Sequence, residues 1–103
     1  MTKGVWYRSS AGVSVPPWQD RGTLTVESGA ISFAGKKQSV SGRIRSVDRT
    51  QLSTTRWVYV QYETEGETRD AYFSDGGLFG WAAWLGGNDR LAEELKASSA
   101  QQS

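Results

Sequence analysis

Four basic residues around one predicted hairpin are the first candidates for chemistry in this chain. Lys36 and Lys37 stand in a turn, and Arg43 and Arg45 follow on the outward side of the next predicted strand. Ammonium and guanidinium groups that converge can clamp a phosphate through charge-assisted hydrogen bonds. Lysines at a hairpin tip also serve simply to keep a turn soluble. The hairpin therefore predicts binding of an anionic lipid head group or a phosphate as an alternative function.

Outward aromatic side chains of the last predicted hairpin form a second candidate. Trp57, Tyr59 and Tyr72 share one face of that hairpin, and stacked aromatics can hold the bases of single-stranded nucleic acid. The formal net charge is only +1, from 12 basic and 11 acidic residues. Because phosphate contacts dominate nucleic-acid affinity, we do not expect nucleic acid as a partner and keep it as a third alternative. The preferred interpretation is that this face packs against the N-terminal arm or against a partner protein.

Large apolar side chains between the last predicted strand and the predicted helix are a third candidate. Phe79, Trp81 and Trp84 have little polar cover in the sequence. If they do not all fit beneath the helix they make an exposed apolar patch, and such patches mark interfaces. In the other interpretation they close the open end of the fold. The segment predicts contact with a protein partner or with another copy of the chain.

Catalytic side chains are scarce in the composition. The chain has no histidine and no cysteine, which removes the usual proton-transfer group, the thiol nucleophile and the main zinc ligands. A Gly-x-Ser-x-Gly motif is absent, and the glycine pairs fit neither the Walker nor the dinucleotide pattern. The sequence predicts a non-catalytic protein with no metal site and no cofactor.

Length and hydropathy limit the number of domains and of membrane segments that the chain can contain. Its 103 residues suffice for one domain. We expect an N-terminal arm over 1–21 with or without a short strand at 5–7, a single barrel over 22–97 with its helix at 88–97, and a flexible tail over 98–103. The chain starts without the apolar core of a signal peptide, and no apolar run approaches the roughly 18–20 residues of a membrane span. A cytoplasmic protein without a transmembrane segment is expected.

Alternation of polar and apolar residues predicts three antiparallel hairpins that position these candidates. In the first two, the predicted cross-strand pairs are Val26 with Ile31, Leu24 with Phe33, and Phe33 with Val40. In the third they are Val58 with Phe73, Val60 with Ala71, and Tyr59 with Tyr72. A one-residue slip would turn each apolar set to the wrong face, so the register is specified. An out-of-phase Val47 predicts a bulge or strand end near Ser46, and the polar stretch 48–55 predicts a loop.

This order of elements, with a helix after the last strand, resembles the pleckstrin-homology-like superfold, including GRAM domains and the bacterial PH-like domains. The motifs that carry the resemblance are Gly22-x-Leu24-x-Val26, Ile31-x-Phe33-x-Gly35, Val40-x-x-x-Ile44-x-x-Val47, Trp57-Val58-x-Val60-x-Tyr62, Ala71-Tyr72-Phe73-x-Asp75 and Asn88-x-x-Leu91-x-x-x-Leu95.

The resemblance implies a mainly β fold, an antiparallel meander that forms a small barrel, and one C-terminal α-helix. It also implies a non-catalytic interaction or scaffolding module that binds a protein partner or self-associates. The family has seven strands and the sequence indicates five, so residues 5–7 or 81–85 must supply the rest. If they do not, an SH3-like or OB-like barrel is the alternative.

Overall fold

The structure, a computed structural model, describes residues 2–9, 20–52, 55–75 and 87–100. The described elements are β1 (Thr2–Arg8), β2 (Asp20–Glu27), β3 (Ala30–Gly35), β4 (Ser39–Leu52), β5 (Thr55–Thr64), β6 (Glu67–Asp75) and α1 (Gly87–Ala100). The strands follow one another as an antiparallel meander, which closes into a barrel where β1 pairs with β6. Helix α1 packs against the barrel, mainly on β4. The predicted fold class, mainly β with a barrel and a C-terminal helix, is confirmed.

Two tight turns set the register of the first and last hairpins. In the β2–β3 turn Ser28 and Gly29 have φ of 47° and 82°, and in the β5–β6 turn Glu65 and Gly66 have φ of 52° and 80°. Positive φ at both central residues is the type I′ geometry, whose twist matches that of the flanking strands. Glycine reaches this region at no steric cost. All six predicted cross-strand pairs are present in the structure.

β1 is a full strand of the barrel. It pairs with β2 along one side and with β6 along the other, and Val5 and Tyr7 are buried in the core. Residues 5–7 therefore supply a sixth strand, and the chain from residue 2 to 8 lies within the barrel wall instead of forming an arm outside it. β2 begins at Asp20, so the expected boundary between residues 21 and 22 does not divide the fold. The other segment expected to supply a strand, 81–85, is outside the described residues.

β4 is longer than the sequence predicts. The register shifts between Ile44 and Ser46, so the predicted bulge is present, but the strand continues through it to Leu52. The predicted loop over 48–55 is wrong for residues 48–52 and for Thr55, with which β5 begins. The first part of β4 pairs with β3 and the later part with β5. Pairing along β5 overrides the low strand propensity of the polar residues there.

Inward side chains of the six strands and the helix form one core. Its members are Val5, Tyr7, Leu24, Val26, Ile31, Phe33, Val40, Ile44, Val58, Val60, Tyr62, Ala71, Phe73, Leu91, Ala92 and Leu95. Three aromatic rings meet near its centre, with Tyr7 5.1 Å from Phe33 and 5.7 Å from Phe73 between ring centroids. Every inward position that the alternation predicted belongs to this cluster.

The last turn of α1 is hydrogen-bonded to the β2–β3 turn. The helix extends to Ala100, beyond its predicted end at residue 97. Ser98 is buried, and its Oγ accepts a hydrogen bond of 2.7 Å from the N–H of Gly29. Residues 98–100 are therefore helical, and not part of the flexible tail that we expected.

Ser98→Ala is expected to lower the free energy of unfolding by about 1–3 kcal/mol, because the buried Gly29 N–H loses this acceptor. Urea denaturation followed by tryptophan fluorescence measures the loss. Ser99→Ala is the matched control, since Ser99 is only partly buried and the greater helix propensity of alanine affects both variants alike. Equal stability of the two variants would contradict a specific role for the Ser98 hydrogen bond.

Candidate functional site

The four basic residues predicted to bind an anion stand at two places along the β3–β4 hairpin. Lys36 and Lys37 lie in the β3–β4 turn, at the end of β3, and all four side chains are exposed. Arg43 is paired with Ala30, at the start of β3. At about 3.3 Å per residue, the strand from Ser39 to Arg43 alone spans roughly 13 Å. The backbones of the lysines and of the arginines are therefore well separated along the hairpin.

A carboxylate neighbours both arginines. Arg45 Nη1 lies 3.5 Å from Glu63 Oε2, and their side chains are 59% and 44% exposed. Glu63 is also the cross-strand partner of Arg43. An ion pair this exposed adds little stability. Its effect is electrostatic, because it reduces the positive charge that a phosphate would need at this place.

The β3–β4 turn is built around the carboxylate of Asp20. Oδ1 accepts hydrogen bonds from the N–H groups of Arg21 (2.8 Å) and Lys36 (3.1 Å). Oδ2 accepts from those of Lys37 (2.9 Å) and Gln38 (2.7 Å). Desolvation by itself would raise the pKa of Asp20, but the four N–H donors outweigh it and lower the pKa to about 2. Lys36 and Lys37 thus extend from a turn whose backbone is held by the buried Asp20 carboxylate. We call this turn, with its two lysines, the basic turn.

Gly35 leaves the space in which the Asp20 carboxylate sits. A Cβ at Gly35 would overlap that carboxylate and the ring of Phe33. Asp20 could not be recognised from the sequence, because its bonds to the turn join residues 16 to 18 positions apart. The only local signal is the general preference of aspartate for accepting backbone N–H groups near turns.

Trp57 is not available on the outer face of the barrel. The side chain is 2% exposed, although it is not part of the inner core cluster. The guanidinium carbon of Arg8 lies 5.8 Å from the centroid of its ring, within the range of a cation–π contact. Trp57 Nε1 is buried and has no hydrogen-bond partner among the described residues. The expectation that Trp57 presents its ring to a partner is thus corrected, because the outward side of β5 is buried at this position.

Tyr59 and Tyr72 form the aromatic pair that the sequence predicts. They lie directly across from each other on β5 and β6, with ring centroids 5.1 Å apart and planes at 33°. Both are partly exposed, and two exposed carboxylates, Asp48 and Asp70, adjoin them. Asp48 is the cross-strand partner of Tyr59 on β4, and Asp70 Oδ1 accepts a 2.6 Å hydrogen bond from the Tyr59 hydroxyl. We call these four residues the tyrosine–carboxylate patch.

Asp70→Asn is expected to lower the pKa of Tyr59, which stands at about 12 mainly because its hydroxyl donates to the Asp70 carboxylate. A carboxylate acceptor stabilises the protonated phenol, so its removal moves the pKa toward the ordinary value of about 10. Alkaline titration of phenolate absorbance measures the change. Asp48→Asn is the control, because the Asp48 carboxylate accepts from the N–H of Arg49. An unchanged titration in Asp70→Asn would contradict the assigned bond.

The remaining predicted contact residues, Phe79, Trp81 and Trp84, lie outside the described residues. Across ranges 2–9, 20–52, 55–75 and 87–100, no group of three or more metal-ligating side chains is placed to hold an ion. No helix in the described part of the chain is long and apolar enough to cross a membrane.

The basic turn at the end of β3 and the tyrosine–carboxylate patch across β4, β5 and β6 thus both present charged groups on the described surface. No protein-family model, no curated protein and no solved structure matches this chain.

Proposed function

We propose that the chain is a non-catalytic, PH-like or GRAM-like interaction module that joins a protein partner or another copy of itself. The closed six-strand meander with a C-terminal helix supports the PH-like assignment. The observation that carries the interaction role is the tyrosine–carboxylate patch, where an aromatic pair stays partly exposed on a regular sheet surface. Tyrosines give a large contact area at a low cost in conformational entropy, and they are enriched at protein interfaces.

The charges around the patch favour a protein over a nucleic acid. Asp48 and Asp70 stand beside the two rings, where they would repel a phosphate backbone. The third ring that a stacking platform would have used, Trp57, is buried. A lipid head group is also less well supported, because the lysines and arginines are separated along the barrel and Arg45 is paired with Glu63.

A pull-down from the native host tests the interaction role. The bait is the full chain, and the patch variant is Tyr59→Ser with Tyr72→Ser. Ser32→Ala is the control, since Ser32 is exposed on β3, on the other side of the barrel. We expect one set of proteins, or additional copies of the chain, to be retained by wild type and control and lost from the patch variant. Melting curves must first show that both variants fold. Identical retention by all three baits would contradict the proposal.

Two further binding assays separate the alternatives. Sedimentation with vesicles of zwitterionic lipid, with and without an anionic phosphoinositide, tests lipid binding by the four basic residues of the β3–β4 hairpin. Fluorescence anisotropy with single-stranded DNA and RNA tests the aromatic face. We expect no saturable binding in either assay at low salt, where surface electrostatics are strongest. Saturable vesicle binding that Lys36→Glu with Lys37→Glu abolishes would make the lipid alternative the function.

A further inference from the structure

We propose that the tyrosine–carboxylate patch of one molecule binds the basic turn of a second copy, so that the molecules associate head to tail. This contact deepens the interaction role proposed above and rests on it. Both surfaces belong to the described residues, both are exposed, and they carry opposite charge. The group that binds to the patch is therefore the basic turn, whose lysine side chains are exposed on the protein's own surface.

The patch has the chemistry to receive lysine side chains. An ammonium group is attracted to the face of a tyrosine ring and forms charge-assisted hydrogen bonds with carboxylates. Asp48 on β4 and Asp70 on β6 flank β5 with an offset of two residues along it, so their backbones are about 12 Å apart at the usual strand spacing of about 4.8 Å and rise of about 3.4 Å per residue. Two adjacent lysines can bridge this separation with their flexible four-carbon stems. Tyr59 stands on β5, between the strands of the two carboxylates, and Tyr72 continues the ring surface onto β6.

The basic turn is ordered before it binds. Four backbone N–H groups converge on Asp20, and Gly35 gives that carboxylate the room it needs. Neither Lys36 nor Lys37 has an ion pair with another described residue. A turn with a fixed backbone and free ammonium groups loses little conformational entropy when it docks. This preorganisation favours the turn over a disordered basic segment of an unrelated protein.

The topology prevents a molecule from filling its own patch. The basic turn joins β3 to β4, whereas the patch is centred on β5 and β6, and β3 and β6 are three strands apart in a closed ring of six. Asp48 follows Lys37 by eleven residues, most of them in β4, which corresponds to roughly 30 Å of strand. The contact must therefore join two molecules through different surfaces. When two molecules share one such contact, one patch and one turn stay free at the ends, so that further copies can add.

Sedimentation velocity at increasing protein concentration tests the contact. The patch variant is Asp48→Asn with Asp70→Asn, and the turn variant is Lys36→Gln with Lys37→Gln. We expect the wild-type mass to grow beyond a dimer at low salt and to fall toward the monomer near 1 M salt, where the screening length is about 3 Å. Each variant alone should remain monomeric. An equimolar mixture should stop at a heterodimer, because only the turn of the patch variant and the patch of the turn variant can still bind.

Charge reversal gives a second and independent readout. Molecules with Asp48→Lys and Asp70→Lys, mixed with molecules carrying Lys36→Glu and Lys37→Glu, present matched surfaces at every contact. This mixture should regain the extended association that each reversed variant lacks alone. Circular dichroism of each variant confirms that the barrel is intact before mixing.

Several outcomes would overturn the head-to-tail contact. A wild-type chain that stays monomeric at millimolar concentration and low salt would do so, as would association that survives in both variants. A patch variant that dimerises on its own would also overturn it, because the interface would then be between identical surfaces. If the wild type is monomeric but the host pull-down still depends on Tyr59 and Tyr72, the interaction role stands and its partner is another protein. Failure of both experiments would remove the interaction role as well.

Discussion

Shortening Leu95 to alanine is expected to lower the free energy of unfolding by about 2–5 kcal/mol, the range found for leucine-to-alanine changes in packed cores. Leu95 is fully buried and belongs to the same cluster as the inward residues of the strands. The loss combines the transfer free energy of the missing methyl groups with the cavity they leave. Because α1 contributes to the one core of the barrel, the helix is part of the cooperative fold.

Urea denaturation followed by tryptophan fluorescence measures this loss, and Glu94→Ala is the control on the same helix. Glu94 is exposed, so its replacement should change the stability by less than about 0.5 kcal/mol. A loss below about 1 kcal/mol for Leu95→Ala would contradict the assignment. The strands would then form a stable barrel by themselves, and α1 would be a peripheral element.

The register of the barrel could be predicted because two independent signals agree in each hairpin. Apolar alternation places Val26 and Ile31 on one face, and the Ser28–Gly29 turn allows only that pairing. The same holds for Val58 and Phe73 with the Glu65–Gly66 turn. A slip by one residue would expose every apolar side chain of the strand, so a wrong register is strongly disfavoured. The Tyr59–Tyr72 pair followed directly from this register.

Contacts between residues that are distant in sequence could not be predicted in the same way. Gly29 and Ser98 are 69 residues apart, so nothing near Ser98 indicates that the helix continues to meet that turn. The burial of Trp57 depends on what covers the outer surface of the barrel. The alternation of polar and apolar residues indicates only which side chains point into the core. The separation of the lysines from the arginines follows from the length of β3, and residue types alone do not reveal it.

Asp20→Asn is expected to lower the melting temperature by roughly 5–10 °C or more at neutral pH. The Asp20 side chain is nearly inaccessible, and its two oxygens accept hydrogen bonds from three N–H groups of the β3–β4 turn and from the N–H of Arg21. Asparagine keeps one oxygen but turns an amide donor toward N–H groups that are also donors. Asp48→Asn is the matched control, because Asp48 is exposed and accepts one local bond from the N–H of Arg49. Similar melting temperatures for the two variants would contradict the role of Asp20.

The difference in melting temperature between wild type and Asp20→Asn is expected to shrink as the pH falls from about 4 to about 2. The pKa of Asp20 is about 2 in the folded chain, whereas an unfolded aspartate has a pKa of about 3.9. A group whose pKa is lowered by folding contributes stability above its unfolded pKa, and that contribution is lost as the pH falls toward the folded value. A difference that stays constant down to pH 2 would mean that the charge of the carboxylate does not hold the turn. If the charge does hold it, Asp20→Asn should also weaken self-association at neutral pH with both lysines still in place, because the basic turn would then lose its fixed backbone before docking.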